Sequence, residues 1–437
     1  MSRRLIALAL ALLAPLASTQ AQTIAIVGGD VYTVANPQPI KGGTVLVRDG
    51  RIVAVGRDVA VPAGAQVIDA KGQWVTPGLF HPYSNTALMD TPGVGEADDR
   101  RAADSPFQAS LDMQYVVNPA SDVVRVTRME GVTRAMVAPV NTRSMLAGYG
   151  ALIHLGDATE LVFKPQAFEL AQLGERGGDL AGGSRAAAFL ALQNALLEAR
   201  QYEVNRGRYI QGGHREALTN RVDTEALIPV ARGDIPLLVR VDRAHDIRMA
   251  LKLRQEVGKI NLILVGVAEG WLVADELAAA KVPVIVFPYD NLPGRFDQFG
   301  ATMANAGRMM AKGVTVAIGP GPERDAEQNA RLLPQAAGNV VGMSAVAGAP
   351  TVSWAQAFEA ITLTPARLYG VADQLGTLER GKLADVVVWT GDPLELSSAP
   401  TAVLINGRPV ALTSRQTELR DRYLSLKRGD LPIQYKR

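Results

Sequence analysis

Four His residues and no Cys narrow the chemistry open to this chain of 437 residues. Without a thiolate, a metal ligand would come chiefly from imidazole or carboxylate, and a nucleophile or general base from these, a hydroxyl or a Lys amine. The densest such cluster lies in "VTPGLFHPYSN", residues 75–85. An apolar run breaks at Pro77-Gly78, restarts with Leu79-Phe80, and ends in His81, Tyr83 and Asn85. Alternate residues of a strand share one face, so these three polar groups are expected to point the same way at a strand end. Other apolar runs end comparably. Arg240 and Asp242 close "IPLLVRVD", Glu269 follows "INLILVGVAEG", and Tyr289 and Asp290 open a loop that also holds Arg295 and Phe296. His81, Asp242 and Glu269 are the types from which a metal site could be built, whereas Tyr83, Asn85, Arg240, Tyr289 and Asp290 suit the wall of a polar pocket.

The elements that position these groups fall into two textures. Residues 23–75 read as short alternating strands, with turn signals at Asp49-Gly50 and Lys71-Gly72. The same texture returns in "ADVVVWTGDP" and "TAVLINGRPVAL", where Asn406-Gly407 is another hairpin turn. One small β-sandwich assembled from 23–75 and 369–412 is expected. Between them, residues 76–368 alternate buried-looking runs with helical stretches such as "DIRMALKLRQEVG" and "GWLVADELAAAK". Continuous β-branched runs followed by helices indicate βα units, and a (β/α)₈ TIM-like barrel fits their number better than an open sheet, which lacks a G-x-G-x-x-G fingerprint. Residues 173–225 read as an insertion containing a long Ala-rich helix, and 413–437 as a C-terminal tail.

Further motifs carry little. No H-x-H or H-E-x-x-H is present. "GGS" at 182–184 lacks the setting of a nucleophile elbow, and "IGPGPE" at 318–323 is not a phosphate loop. His214 and His245 are accounted for by a polar loop and a helix start; His154 in "ALIHLG" is a candidate for the barrel mouth or for a hydrogen-bonded place within it.

The first 22 residues have the form of a secretory signal: Arg3-Arg4, an apolar stretch from Leu5 to Leu16, and a small-residue cleavage site. Without Arg3 and Arg4, the 45 Lys and Arg fall to 43, against 43 Asp and Glu. That balance gives no electrostatic case for nucleic acid or an anionic membrane. A periplasmic location without a membrane or lipid anchor is the expectation.

The flanking motifs "VIDAKGQWVTPGLF" and "ITLTPARLYGVADQLGTLERGKLADVVVWTGDP" resemble those of the amidohydrolase superfamily, nearest its imidazolonepropionase-like branch. The resemblance implies a metal-dependent hydrolase acting on C–N bonds of cyclic amides or dipeptide-like substrates, with zinc or another divalent metal activating water. It also places the metal ligands. The two first-strand His positions hold Tyr83 and Asn85, and the Asp before them is His81. The fifth-strand His-Ala-His is Arg240-Val241-Asp242, the sixth-strand His is Gly266, and the last-strand Gly-Thr-Asp is Gly319-Pro320-Gly321. Arg cannot coordinate, and Tyr and Asn are poor ligands near neutral pH. The expectation is a pseudoenzyme with no metal cofactor, in which Arg240 pairs with Asp242 or a neighbouring carboxylate. It would act as a non-catalytic subunit beside an intact relative or in a homo-oligomer. The alternatives are a hydrolase with a rebuilt site and a small-molecule binding protein.

Overall fold

The computed structural model describes residues 23–90, 94–210, 218–289, 291–321 and 330–424. The signal-like segment 1–22, His214, Asp290 and the tail beyond 424 lie outside the described residues. Five strands open the chain: β1 (Thr23–Val31), β2 (Ile40–Arg48), β3 (Arg51–Gly56), β4 (Gln66–Asp69) and β5 (Trp74–Pro77). The next eight are β6 (Leu79–Ser84), β7 (Val132–Val137), β8 (Leu146–His154), β9 (Val162–Gln172), β10 (Leu237–Val241), β11 (Leu262–Gly266), β12 (Val284–Val286) and β13 (Val316–Ile318). The last three are β14 (Val386–Trp389), β15 (Pro400–Ile405) and β16 (Arg408–Pro409).

Both chain ends enter one sheet, in the order β16-β15-β14-β5-β1-β2-β3, with β4 also on β1. The join is the antiparallel pairing of β14 with β5, Val387 opposite Thr76. Its hairpins turn where the dipeptides predict: Asp49 and Gly50 have φ of 51° and 77°, and Asn406 and Gly407 have 52° and 72°. Two consecutive positive φ angles are what a tight turn matching the strand twist requires. Ile24, Ile26, Val45, Val47, Val75, Val386 and Leu404 close its apolar core.

Strands β6 to β13 form the barrel in sequence order. Residues 360–361 bridge its first and last strands: Phe80 N–H donates to Ile361 O at 2.8 Å and Ile318 N–H to Ala360 O at 3.1 Å. Phe80, Met136, Leu152, Phe168, Leu238, Ile263, Ile285 and Ala317 pack together in its interior. One strand departs from the repeating βα pattern. β8 is antiparallel to both β7 and β9. Only residues 138–145 join β7 to β8, too few for a parallel crossover, so the chain doubles back. His154 ends this reversed strand opposite Arg134, on the side facing the terminal sheet, and so does not reach the mouth. There Arg134 forms a buried ion pair with Asp385 at 2.5 Å, fastening barrel to sheet.

Helices cover the barrel. Ala244–Val257 buries Ile247, Ala250, Leu251 and Val257, the spacing of one helical face. The segment 173–225, read from sequence as an insertion, joins β9 to β10. Its helix Arg185–Ile210 places Leu192, Ala195, Leu196 and Ala199 in the main core. Among the described residues, no helix is long and apolar enough to cross a membrane.

Candidate functional site

The C-terminal strand ends bring His81, Tyr83, Asn85, Arg240, Asp242 and Glu269 to the end of the barrel where this fold places its chemistry. His81 is 2% exposed. Its Nδ1 accepts the Tyr83 N–H at 3.3 Å, while Nε2 is buried without a partner. Burial lowers its pKa to about 3, so the ring is neutral near neutral pH, and with Nδ1 accepting, Nε2 carries the proton. Tyr83 packs 5.9 Å from the Phe287 ring, centroid to centroid, and the Arg240 guanidinium lies 6.0 Å from the Tyr83 ring centroid. Asn85 donates its amide to Ala138 O at 3.0 Å, tying the end of β6 to the chain beyond β7. The Tyr289 hydroxyl is buried without a partner, and burial pushes its pKa up to about 12. Asp290 lies outside the described residues.

Each oxygen of the two carboxylates accepts at least one hydrogen bond. Asp242 accepts from Arg295 at 2.8 Å and Gln298 at 3.1 Å on Oδ2, and from Ala268 N–H at 3.2 Å on Oδ1. Burial and the neighbouring Asp297 raise its pKa against the pull of Arg295. Arg295 is thus a guanidinium in direct contact with Asp242, and the charge of Arg240 acts on the same carboxylate. Glu269 accepts the N–H of Ala244 at 2.8 Å and of Gly300 at 2.9 Å, one on each oxygen. It ties the start of a barrel helix to the loop after β12.

Two glycines at the mouth are demanded by what lies beside them. A Cβ on Gly266, whose φ is +91°, would sit 2.6 Å from Asp242 Oδ1. On Gly321, with φ of +87°, it would sit 3.1 Å from Phe287 Cγ. A side chain at either position would need space that the Asp242 carboxylate or the Phe287 ring already holds. Among the described residues, no three His, Asp or Glu side chains lie close enough together to hold a metal ion. His81, Asp242 and Glu269 therefore do not form the rebuilt site their types allow.

Sequence reasoning missed Glu169. It lies on β9, 0% exposed, with Oε1 accepting Gly148 N–H at 3.1 Å and Oε2 unpartnered. Burial, with Asp223 and Asp112 nearby, raises its pKa well above the usual carboxylate value. Its only signal is a lone Glu inside the apolar run "AFELA". Gln298, a second hydrogen-bond donor to Asp242, was missed too, because nothing local marks a loop Gln as buried.

Comparison with known proteins adds a lineage. Residues 257–413 match the amidohydrolase family. Imidazolonepropionase from Maricaulis maris (strain MCS10) is 24% identical, over 83% of this chain and 90% of that protein. The same enzyme from Symbiobacterium thermophilum is 26% identical, over 80% and 84%. Amidohydrolase tasK of Hapsidospora irregularis is 23% identical over 84% of this chain, which spans only 39% of that longer protein. The crystal structure of an amidohydrolase from Thermotoga maritima MSB8 superposes with a TM-score of 0.78, covering 89% of this chain and 99% of that one at 23% identity.

Proposed function

This chain belongs to the amidohydrolase superfamily, on its imidazolonepropionase-like branch, and from that premise we propose that it is a pseudoenzyme: a non-catalytic partner subunit whose barrel mouth no longer takes a metal. Metal-dependent members use a bound divalent ion to activate water. The residues present here do not fit such an ion. The observation that carries this reading is the closed volume at Gly266, where a ligand side chain would collide with Asp242 at 2.6 Å. Phe287 crowds the position of the last-strand base more mildly, at 3.1 Å from a Cβ on Gly321, and Arg240 brings a fixed positive charge that repels a cation.

A rebuilt hydrolase is disfavoured because, among the described residues, no three His, Asp or Glu side chains gather closely enough to hold a metal ion. A role beside another protein is favoured by the rim, where Leu292, Phe296 and Phe299 are 76%, 74% and 67% exposed. Exposed apolar groups of that size clustered in one loop suit an interface. In this reading the protein and its partner act in the periplasm, which the signal-like sequence of residues 1–22 supports.

Elemental analysis of protein purified without chelator tests the proposal, alongside affinity purification from the native host. The expected result is no stoichiometric metal and a co-purifying, metal-bearing amidohydrolase relative. A full equivalent of zinc, manganese or iron, lost together with amidase activity in Asp242→Ala, refutes it.

A further inference from the structure

We infer that the Arg295 guanidinium is a resident cation of the barrel mouth, held by Asp242 in place of a metal and latching loop 291–300 onto the barrel. The inference deepens the reading above and rests on it.

Asp242 and Asp297 are 7% and 2% exposed, close enough that Asp297 raises the Asp242 pKa. Two buried carboxylates facing one another need a cation, the same requirement that draws a metal into such a cluster. Arg295 meets it from the chain itself: its Nη2 lies 2.8 Å from Asp242 Oδ2 and its Nε 3.4 Å from Asp297 Oδ1. Unlike a metal, this cation is covalently part of a loop, so neutralising the carboxylates also fixes the loop.

The rest of the loop is built around that contact. Gln298 donates to Asp242 at 3.1 Å and accepts from Gly294 N–H at 3.2 Å. Asp297 Oδ2 accepts from Glu175 N–H at 3.2 Å. Gly300 donates to Glu269 at 2.9 Å, and its carbonyl accepts from Trp271 Nε1 at 2.8 Å. These polar anchors turn inward while Leu292, Phe296 and Phe299 are held in water, the reverse of what a free loop would choose. The inward anchors converge on the strand-five and strand-six ends, Asp242 and Glu269, at the face where the superfamily puts its chemistry. A mouth that has lost its metal has kept its order by this substitution.

Chymotrypsin reads the latch directly, because it cuts after Phe and both Phe296 and Phe299 present their rings. Pinned backbone resists cleavage until it opens locally. In the full mature protein, Arg295→Met is expected to speed cutting after Phe296 or Phe299 by at least about tenfold, with the circular dichroism spectrum unchanged. Asp242→Asn should do the same, and Arg295→Lys, which keeps the charge but not the fork, should fall between. Added zinc or manganese should leave the wild-type rate unchanged. Should Arg295→Met misfold, Arg295→Lys and Gln298→Ala carry the test. Cleavage within about twofold of wild type in all folded variants overturns the latch while leaving the metal-free reading standing. A stoichiometric metal that protects the loop, and is lost in Asp242→Asn, overturns both.

Discussion

Gly266→Ala probes the closed mouth at a single atom. The new Cβ would lie 2.6 Å from Asp242 Oδ1, about 0.8 Å inside ordinary contact. Asp242 has little room to retreat, since Arg295, Gln298 and Ala268 hold it from both oxygens. Its bond to Ala268 is already 3.2 Å long, so a shift of that size breaks it. Losing a hydrogen bond to a buried charge costs about 1.5–3 kcal/mol, and placing Ala at φ of +91° adds about 1–2 kcal/mol of backbone strain. The expected destabilisation is therefore about 2.5–5 kcal/mol. Gly182 supplies the control: its φ is +88° and nothing lies within 4 Å of its missing Cβ, so Gly182→Ala meets strain alone. Urea unfolding followed by tryptophan fluorescence would compare the two, with Asp242→Ala completing a double-mutant cycle. In the Asp242→Ala background the cost at position 266 should fall to that at 182. If Gly266→Ala costs no more than Gly182→Ala in the wild-type background, the volume is not closed and a ligand side chain could return there.

Two further outcomes follow from buried charge elsewhere. Glu169 holds its proton in the folded state at a pH where the unfolded chain has released it, because burial raises its folded pKa well above the usual carboxylate value. Stability is then fully present below about pH 4.5 and declines as pH rises toward the folded pKa. Glu169→Gln keeps an acceptor for Gly148 and removes that loss, so it should be more stable than wild type at pH 8 and flatten the slope in urea titrations across pH; an unchanged slope would show that Glu169 is ionised in the fold. Arg134→Met leaves Asp385, 5% exposed, as an uncompensated buried charge and should cost about 3–5 kcal/mol, whereas adding Asp385→Leu should recover part of the loss, measured as melting temperature for the single and double variants.

What sequence alone determined was local or a matter of residue identity. The hairpin dipeptides turn with both φ angles positive because Asn, Asp and Gly tolerate that backbone wherever it occurs. The helix Ala244–Val257 and the core strands of the barrel follow from spacing that a chain carries regardless of what it packs against. The residue types at the mouth, Tyr83, Asn85, Arg240, Gly266 and Gly321, were equally legible, since no fold can make an Arg or a Gly coordinate a metal. Only the tertiary structure decided which groups meet. Asp242 takes Arg295, 53 residues away, because the loop after β12 can reach across the face that ends β10. His154 faces the terminal sheet because a short connection reverses β8, and Glu169 is buried because β9 lies between two other strands. Periodicity reports which face a side chain occupies, but the path of the loops and the packing of distant segments select its partner. Most of this site is made of such pairings.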